Sequence, residues 1–191
     1  DFWSSNLQGA SLAGANLTGA QFQRADLHNT SFAGAIVRDA GFSTSHGVPL
    51  TEAQLASTAS YRQQDLRGIR LNERDMNGWN FREQNLAGAR MWQSRLIGAD
   101  FSRAHLTSVP MVSSVLTDAK LTSADLTDVD LSDARLERAD FTGAVLTGTN
   151  LTRTTQAGFT AEMLYSTASY QQADLPGILF EEDDLSGWNF Q

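Results

Sequence analysis

The chain has 191 residues, of which 41% are hydrophobic, with no cysteine and a formal net charge of −8. The lack of cysteine excludes disulfides and thiol chemistry, and the negative charge argues against nucleic acid as a direct partner. The sequence has neither a run of about 18 apolar residues nor a basic segment followed by an apolar one, so we expect no membrane span and no signal peptide. The compartment stays open, with the cytoplasm slightly favoured.

The first block, residues 1–44, repeats a word of five residues. A large apolar residue recurs at every fifth position from Phe2 to Phe42, and a small residue, usually alanine, stands two positions before it. A period of five fits neither an α-helix, which repeats every 3.6 residues, nor a strand, which repeats every two. The block therefore predicts a solenoid, in which successive coils of the chain stack on each other.

Residues 45–63, the first insertion, interrupt this repeat. Thr51 followed three residues later by Gln54 is typical of a capping box at a helix N-terminus, and Leu50 and Leu55 have the spacing of a hydrophobic staple. The segment STASY, which begins at Ser57, is rich in residues that bond to the nearby backbone outside helices. The insertion therefore predicts a short helix, of two turns at most, with Leu55 packed against the solenoid.

The second block, residues 64–153, resumes the five-residue word at Leu66 and keeps it to Leu151. Its first coil departs from the pattern, because the positions that elsewhere hold alanine include Arg74 and Trp79. A tryptophan and a charged side chain do not fit a slot sized for alanine unless the coil widens or the side chains turn outward. We expect the insertion to pack at this coil, with Trp79 covering it.

The middle of the second block carries apolar residues at positions of the word that face outward. Together they predict an exposed apolar patch, and such a patch usually marks a contact surface. The sequence leaves two alternatives open for the contact, namely another protein or another segment of the same protein. The candidate patch consists of Trp92, Ile97, Pro110, Val112 and Val115.

The second insertion, residues 154–172, is a copy of the first. Residues 160–190 align with residues 51–81 and are identical at more than half of the positions, including the segments STASY and GWNF. Thr160 keeps the cap and Leu164 keeps the staple, whereas Met163 replaces the glutamine of the capping box. Trp188 occupies the position of Trp79, so we expect Leu164 and Trp188 to pack at this insertion.

The third block, residues 173–191, closes the chain. The last large residue before each insertion and the first one after it are 24 positions apart, from 42 to 66 and from 151 to 175, so both insertions shift the register equally. The chain opens on a spacing that matches the segment just after the first insertion, and it ends inside the copy of that segment. We therefore expect the natural protein to be longer in both directions.

The repeated pattern A-(D/N)-L-x-x, as in ANLTG from Ala15 and ADLTD from Ala124, strongly resembles the pentapeptide-repeat family. The resemblance covers the chain outside the two insertions. It implies an all-β solenoid, a right-handed quadrilateral parallel β-helix in which four words form a square coil and the central and small residues point inward. On this interpretation the chain is a single solenoid with two short helix-containing insertions.

The phenylalanines support a coil of four words independently of the resemblance. Phe2, Phe22 and Phe42 are each four words apart, as are Phe81 and Phe101. This spacing predicts that phenylalanine rings stack in one column along one wall, with alanine at the other inward position leaving room for them. Glycine at the last position of many words suits tight corners that require a positive φ.

The sequence contains no recognisable catalytic or metal-binding pattern. The histidines, His28, His46 and His105, are far apart and follow no metal-ligand spacing. The acidic run 182–184 lacks the alternating ligands and the glycine of a calcium loop. We therefore expect no enzyme activity, no cofactor and no metal.

The most consistent function is a noncatalytic structural or protein-interaction scaffold, a rigid rod whose open ends favour end-to-end homodimers. Fluoroquinolone-resistance members of the resembled family mimic DNA and bind type II topoisomerases, which requires a wall of one charge. The outward residues of the second block sum to −2 on one wall and to zero on the other three, so the sequence does not favour this alternative. A carbohydrate- or surface-binding array that uses exposed aromatic residues is the other alternative.

Overall fold

In a computed structural model, which describes residues 1–43 and 48–190, the chain forms a solenoid. Its successive coils are joined by parallel bridges between positions that differ by four words, such as Asp65 with Asn85 and His105 with Asp125. Within the repeat blocks these bridges recur at intervals of one word, with four of them between most neighbouring coils. Each bridge spans a single residue, and the described residues contain no extended strand. The repeat solenoid is confirmed, whereas the strands expected of an all-β fold are not observed.

Extended strands do not form because the chain turns after every bridge. In the word centred on Leu126, the N–H of Val129 donates to the carbonyl of Leu126 at 3.0 Å, which closes a four-residue turn. The third residue of that turn, Asp128, has a φ of 55°. A positive φ at this position is required by a type II turn. The same corner is occupied by glycine in other words, as the sequence predicts, for example by Gly88 with a φ of 67°.

The core consists of the residues predicted to face inward. Ala124 and Leu126 are fully buried, and the same pair of positions is buried through most of the second block. The predicted stacking of phenylalanines is confirmed within the first and second blocks. The rings of Phe2, Phe22 and Phe42 stack with centroids 4.8 and 4.9 Å apart, and Phe81 stacks on Phe101 at 5.0 Å.

The coil that contains each insertion is longer than the others. Bridges across the insertions join Gly41 to Arg70 and Asn150 to Leu179, so each of these coils spans 29 positions instead of the usual 20. The two insertions therefore shift the register equally, as predicted. Because the N–H of Phe42 donates to the carbonyl of Arg70, Leu71 rather than a phenylalanine continues the column of Phe42. The phenylalanine column thus changes wall at the first insertion and does not run along a single wall.

Each insertion folds into two short helices where the sequence predicted one. In the first insertion they are α1 (Glu52–Ala56) and α2 (Ala59–Arg62), and in the second α3 (Ala161–Ser166) and α4 (Ala168–Gln171), preceded by a 3₁₀ turn (Thr155–Ala157). The break arises at the segment STASY, because Thr58 and Thr167 leave the helical conformation and cap the following helix through their side chains.

The capping box of the first insertion is confirmed, and it also ties the insertion to the solenoid. The side chain of Thr51 accepts a hydrogen bond from the N–H of Gln54 at 3.2 Å, and Gln54 Oε1 accepts one from the N–H of Thr51 at 2.9 Å. Gln54 Nε2 then donates to the carbonyls of Leu27 and Thr30 in the preceding coil. The second insertion keeps only the threonine cap, in which the hydroxyl of Thr160 accepts a hydrogen bond from the N–H of Met163.

Candidate functional site

The residues of the candidate patch lie on two neighbouring walls of the solenoid. Trp92, Pro110 and Val112 belong to the wall built from the words centred on Met91 and Met111, where the N–H of Gln93 donates to the carbonyl of Val112. Ile97 and Val115 belong to the next wall along the chain. All five side chains are partly buried. Over residues 1–43 and 48–190, the large apolar side chains that are most exposed lie elsewhere, led by Trp3 at 57%.

Trp92 shares its wall with Trp3, which the sequence analysis did not single out. Bridges join Gln21 to Gly41, Gly41 to Arg70 and Arg70 to Arg90, so the words around these residues stack in order. The outward position after each central residue is then occupied, coil after coil, by Trp3, Gln23, Ser43, Asn72 and Trp92. Four steps of about 4.8 Å place the two tryptophan positions about 19 Å apart. We call this surface the tryptophan wall.

A groove of about 460 Å³ lies on this wall between Trp3 and Trp92. Gly41 leaves room for the glutamine side chains of this wall, because a Cβ there would lie only 2.5 Å from Gln23 Nε2. Gln23 Nε2 donates to Gln21 Oε1 at 2.8 Å, and Arg70 Nη1 donates to the same oxygen at 2.9 Å. The two glutamine side chains therefore lie flat across the coil of Gly41.

The groove is positively charged although the chain is acidic. Arg24, Arg70 and Arg90 line it together with one carboxylate, Glu73, so its formal charge is three minus one, or +2, against −8 for the chain. None of these three arginines forms an ion pair within the described part of the chain. Eight other arginines do: Arg38, Arg67, Arg82, Arg95, Arg103, Arg135, Arg138 and Arg153.

Several acidic residues elsewhere are paired with arginines of the adjacent coil. Arg138 Nε lies 2.7 Å from Asp118 Oδ1, and Arg153 Nε lies 2.6 Å from Asp133 Oδ1, each across one coil. Hydrogen bonds from these guanidinium groups hold the pKa of Asp118 and of Asp133 below the ordinary value. Such pairs interrupt the negative charge, so the described residues do not present a continuous ladder of unpaired carboxylates.

The first insertion is fastened by a buried arginine. Arg74 is only 5% exposed, and its guanidinium donates to the carbonyl of Phe42 at 2.7 Å and to the carbonyl of Leu50. The guanidinium carbon lies 5.7 Å from the ring of Trp79, which is itself buried and contacts Phe81. Burial lowers the pKa of Arg74 to about 10, so the side chain is charged at neutral pH. Arg74 and Trp79 thus point inward.

The second insertion uses a different side chain at the equivalent position. Asp183, which aligns with Arg74, accepts hydrogen bonds at Oδ1 from the backbone N–H and the hydroxyl of Thr155, at 2.8 and 2.9 Å. Trp188 packs edge-on against Phe180, with ring centroids 5.8 Å apart, and also contacts Phe159. Leu55 and Leu164 are buried in the core at the two insertions. A cation in one copy and a carboxylate in the other therefore connect the insertion to the following coil.

The remaining sequence-based candidates do not converge on one place. His28 and His105 are exposed, and His46 lies outside the described residues. In the part of the chain that the structure describes, no three histidine, aspartate or glutamate side chains are grouped as a metal site would require. Within the same residues, every helix is too short and too polar to cross a bilayer.

Sequence reasoning missed that Trp3 and Trp92 lie in the same column of the solenoid, because these residues are 89 positions apart in the chain. That separation equals three coils of 20 positions and one of 29, so only the length of the insertion coil brings them into the same column. The signal was present in the two equal interruptions of the repeat, but the sequence alone did not show how much of each interruption belongs to the coil.

Comparison with known proteins assigns the repeats to a described family. A family model named "Pentapeptide repeats" matches eight copies, over residues 1–43, 65–103, 75–111 and 114–153. None of the curated proteins compared with the chain matches it.

Solved structures of repeat proteins resemble the whole chain. One trypsin-treated variant of QnrB1, a plasmid-mediated fluoroquinolone resistance protein, is 20% identical with a TM-score of 0.64, and the alignment covers 95% of this chain and 85% of that one. A second trypsin-treated QnrB1 variant is 18% identical with a TM-score of 0.52, covering 95% and 86%. The pentapeptide repeat protein Rfr23 from the cyanobacterium Cyanothece 51142 is 14% identical with a TM-score of 0.41, covering 90% and 88%. At these identities the likeness to the two QnrB1 structures shows the fold alone.

Proposed function

The chain belongs to the pentapeptide-repeat family, and from that premise we propose that it is a noncatalytic scaffold, a stiff rod that presents side chains to partner proteins at fixed spacing. We propose further that the rod is a right-handed quadrilateral β-helix, with repeat blocks 1–44, 64–153 and 173–191. The insertions at 45–63 and 154–172 then serve as docking or bending elements along it, and the open ends allow two copies to associate.

The observation that supports the scaffold most directly is the continuity of the coil-to-coil contacts. Backbone hydrogen bonds join neighbouring coils throughout the second block. For example, the N–H of Leu106 donates to the carbonyl of Asp125 at 2.8 Å, and the N–H of Leu126 donates to the carbonyl of Val145 at 2.9 Å. Under these bonds the leucines and phenylalanines form one continuous buried cluster. An uninterrupted core and ladder resist bending, which suits a spacer better than a catalyst.

The charge distribution favours a general scaffold over a DNA mimic. A DNA mimic requires a row of unpaired negative charges that a phosphate-binding surface can recognise. Here arginines of adjacent coils pair with Asp118 and Asp133, and arginines line the tryptophan wall. We therefore expect the chain to leave DNA gyrase unaffected when it is added in excess to a supercoiling assay. Inhibition of gyrase at stoichiometric amounts would contradict the scaffold and favour the mimic.

The partner contact of the scaffold is tested by replacing Trp92 with serine. Trp92 is the largest member of the candidate patch, and large aromatic residues dominate the energy of protein contacts. We expect the immobilised chain to retain a protein from a cell extract of its source, and Trp92→Ser to lose it. Val145→Ser is the matched control, because Val145 is an exposed apolar residue on a different wall. Equal retention by Trp92→Ser and the unchanged chain would remove the patch from the proposal.

A further inference from the structure

The groove between Trp3 and Trp92 has the dimensions and lining of a ligand site. Its volume of about 460 Å³ lies in the range of small-molecule pockets, roughly 300–1,000 Å³. We propose that this groove binds an acidic oligosaccharide, with carboxylate-bearing sugar rings lying along the tryptophan wall. The proposal does not depend on a protein partner for the scaffold.

Charge selects an anion for the groove. Arg24 and Arg90 form no ion pair within residues 1–43 and 48–190, and the guanidinium of Arg70 donates to the neutral Gln21. A protein of net charge −8 repels anions on most of its surface, so a local charge of +2 marks a place where an anion is favoured. The planar guanidinium binds carboxylates through two parallel hydrogen bonds, which makes a uronic acid a better match than a neutral sugar.

The tryptophans and the floor of the groove suit sugar rings. Trp3 is 57% exposed at one end, and Trp92 stands at the other end. A flat indole face offers an apolar platform on which the C–H face of a pyranose ring buries apolar area. Between the two platforms lie the amide and hydroxyl groups of Gln23, Ser43 and Asn72. The Ser43 hydroxyl already donates to Asn72 Oδ1 at 2.6 Å, so it would meet a sugar hydroxyl as an acceptor.

Other anionic polymers fit the groove less well. The backbone groups of the wall are already used in the bridges from Gln21 to Gly41 and from Gly41 to Arg70, so an extended acidic peptide has no free sheet edge to join. Single-stranded nucleic acid binds through stacking platforms for successive bases. The two tryptophan positions are about 19 Å apart, four coil steps, which is too far for neighbouring bases.

The proposal is tested by titrating the chain with tetragalacturonic acid while tryptophan fluorescence and the heat of binding are recorded. We expect saturable binding that weakens as salt is added, because exposed charges are screened. Each of Trp3→Ala, Arg70→Gln and Arg90→Gln should weaken the affinity about tenfold or more. Arg138→Gln is the matched control, since it removes an exposed arginine on another wall, and its affinity should be unchanged.

Three results would overturn the proposal. The first is no binding of tetragalacturonic acid by a chain whose thermal unfolding shows that it is folded. The second is equal affinity for a neutral glucose tetramer, which would show that the arginines do not select the ligand. The third is tighter binding of an oligothymidylate or a polyglutamate peptide, lost in the same variants, which would assign the groove to a different class of polymer. None of these results bears on the gyrase test of the scaffold, and Trp92, the residue replaced in the protein-retention test, is not among the variants used here.

Discussion

Replacing Leu126 with alanine is expected to lower the free energy of unfolding by about 2–5 kcal/mol. Leu126 is fully buried in the middle of the second block, with complete coils above and below it. Its N–H donates to the carbonyl of Val145, and its carbonyl accepts from the hydroxyl of Thr149 at 2.9 Å. These bonds tie the backbone to the following coil, and the N–H of Leu106 ties it to the preceding one through the carbonyl of Asp125, so the wall has little freedom to collapse into the cavity that the substitution leaves.

The measurement is urea denaturation of the purified chain, followed by circular dichroism. Val145→Ala is the control, because it removes apolar atoms from an outward position that is 37% exposed and creates no cavity. Its expected effect is within about 0.5 kcal/mol. A loss for Leu126→Ala no larger than that of the control would mean that this leucine does not lie in a packed core.

Replacing Arg74 with methionine is expected to lower the free energy of unfolding by about 2–4 kcal/mol, since each buried carbonyl that loses its donor costs about 1–3 kcal/mol. Methionine keeps most of the volume but leaves the carbonyls of Phe42 and Leu50 without the guanidinium. The insertion is held to the following coil at this point. Trp79 lies against the guanidinium, so its fluorescence should also change when Arg74 is replaced.

Arg62→Met provides the control for Arg74→Met. Arg62 belongs to the same insertion and donates to the carbonyls of Ser57 and Thr58, but it is more exposed, so water replaces it as the donor. We expect its thermal unfolding to change little. If the two substitutions destabilised the chain equally, the burial of Arg74 would not be what fastens the insertion.

The inside of the molecule was predictable from the sequence because its signal is local and repeated. The five-residue word places Ala124 and Leu126 inward, and the four-word spacing of Phe2, Phe22 and Phe42 predicts their stacking. The capping box of Thr51 and Gln54 was also predictable, because both partners lie within one helical turn.

The features that were not predictable depend on the length of the insertion coil. The sequence shows where the repeat stops, but not that the coil closes after 29 positions, which moves the phenylalanines to another wall and aligns Trp3 with Trp92. The inward orientation of the Arg74 side chain could not be predicted either. Its hydrogen-bond partners are the carbonyls of Phe42 and Leu50, which lie far from it along the chain. Trp92 could be identified as a candidate from its outward position, whereas the arginines beside it could be recognised only once the coils were stacked.

The stacking register is tested most directly by disulfide cross-linking of engineered cysteines. The chain has no cysteine of its own, so only the introduced pair can form a disulfide within it. Thr107 and Thr127 occupy the same outward position in adjacent coils, where the N–H of Ser108 donates to the carbonyl of Thr127 at 2.9 Å. Positions about 4.8 Å apart are within the Cα separation that a disulfide spans. We expect the cysteine pair at 107 and 127 to close on mild oxidation, and the pair at 38 and 67, across the first insertion, to close as well. Closure of a pair at 107 and 122, with the pair at 107 and 127 remaining reduced, would contradict a coil of four words.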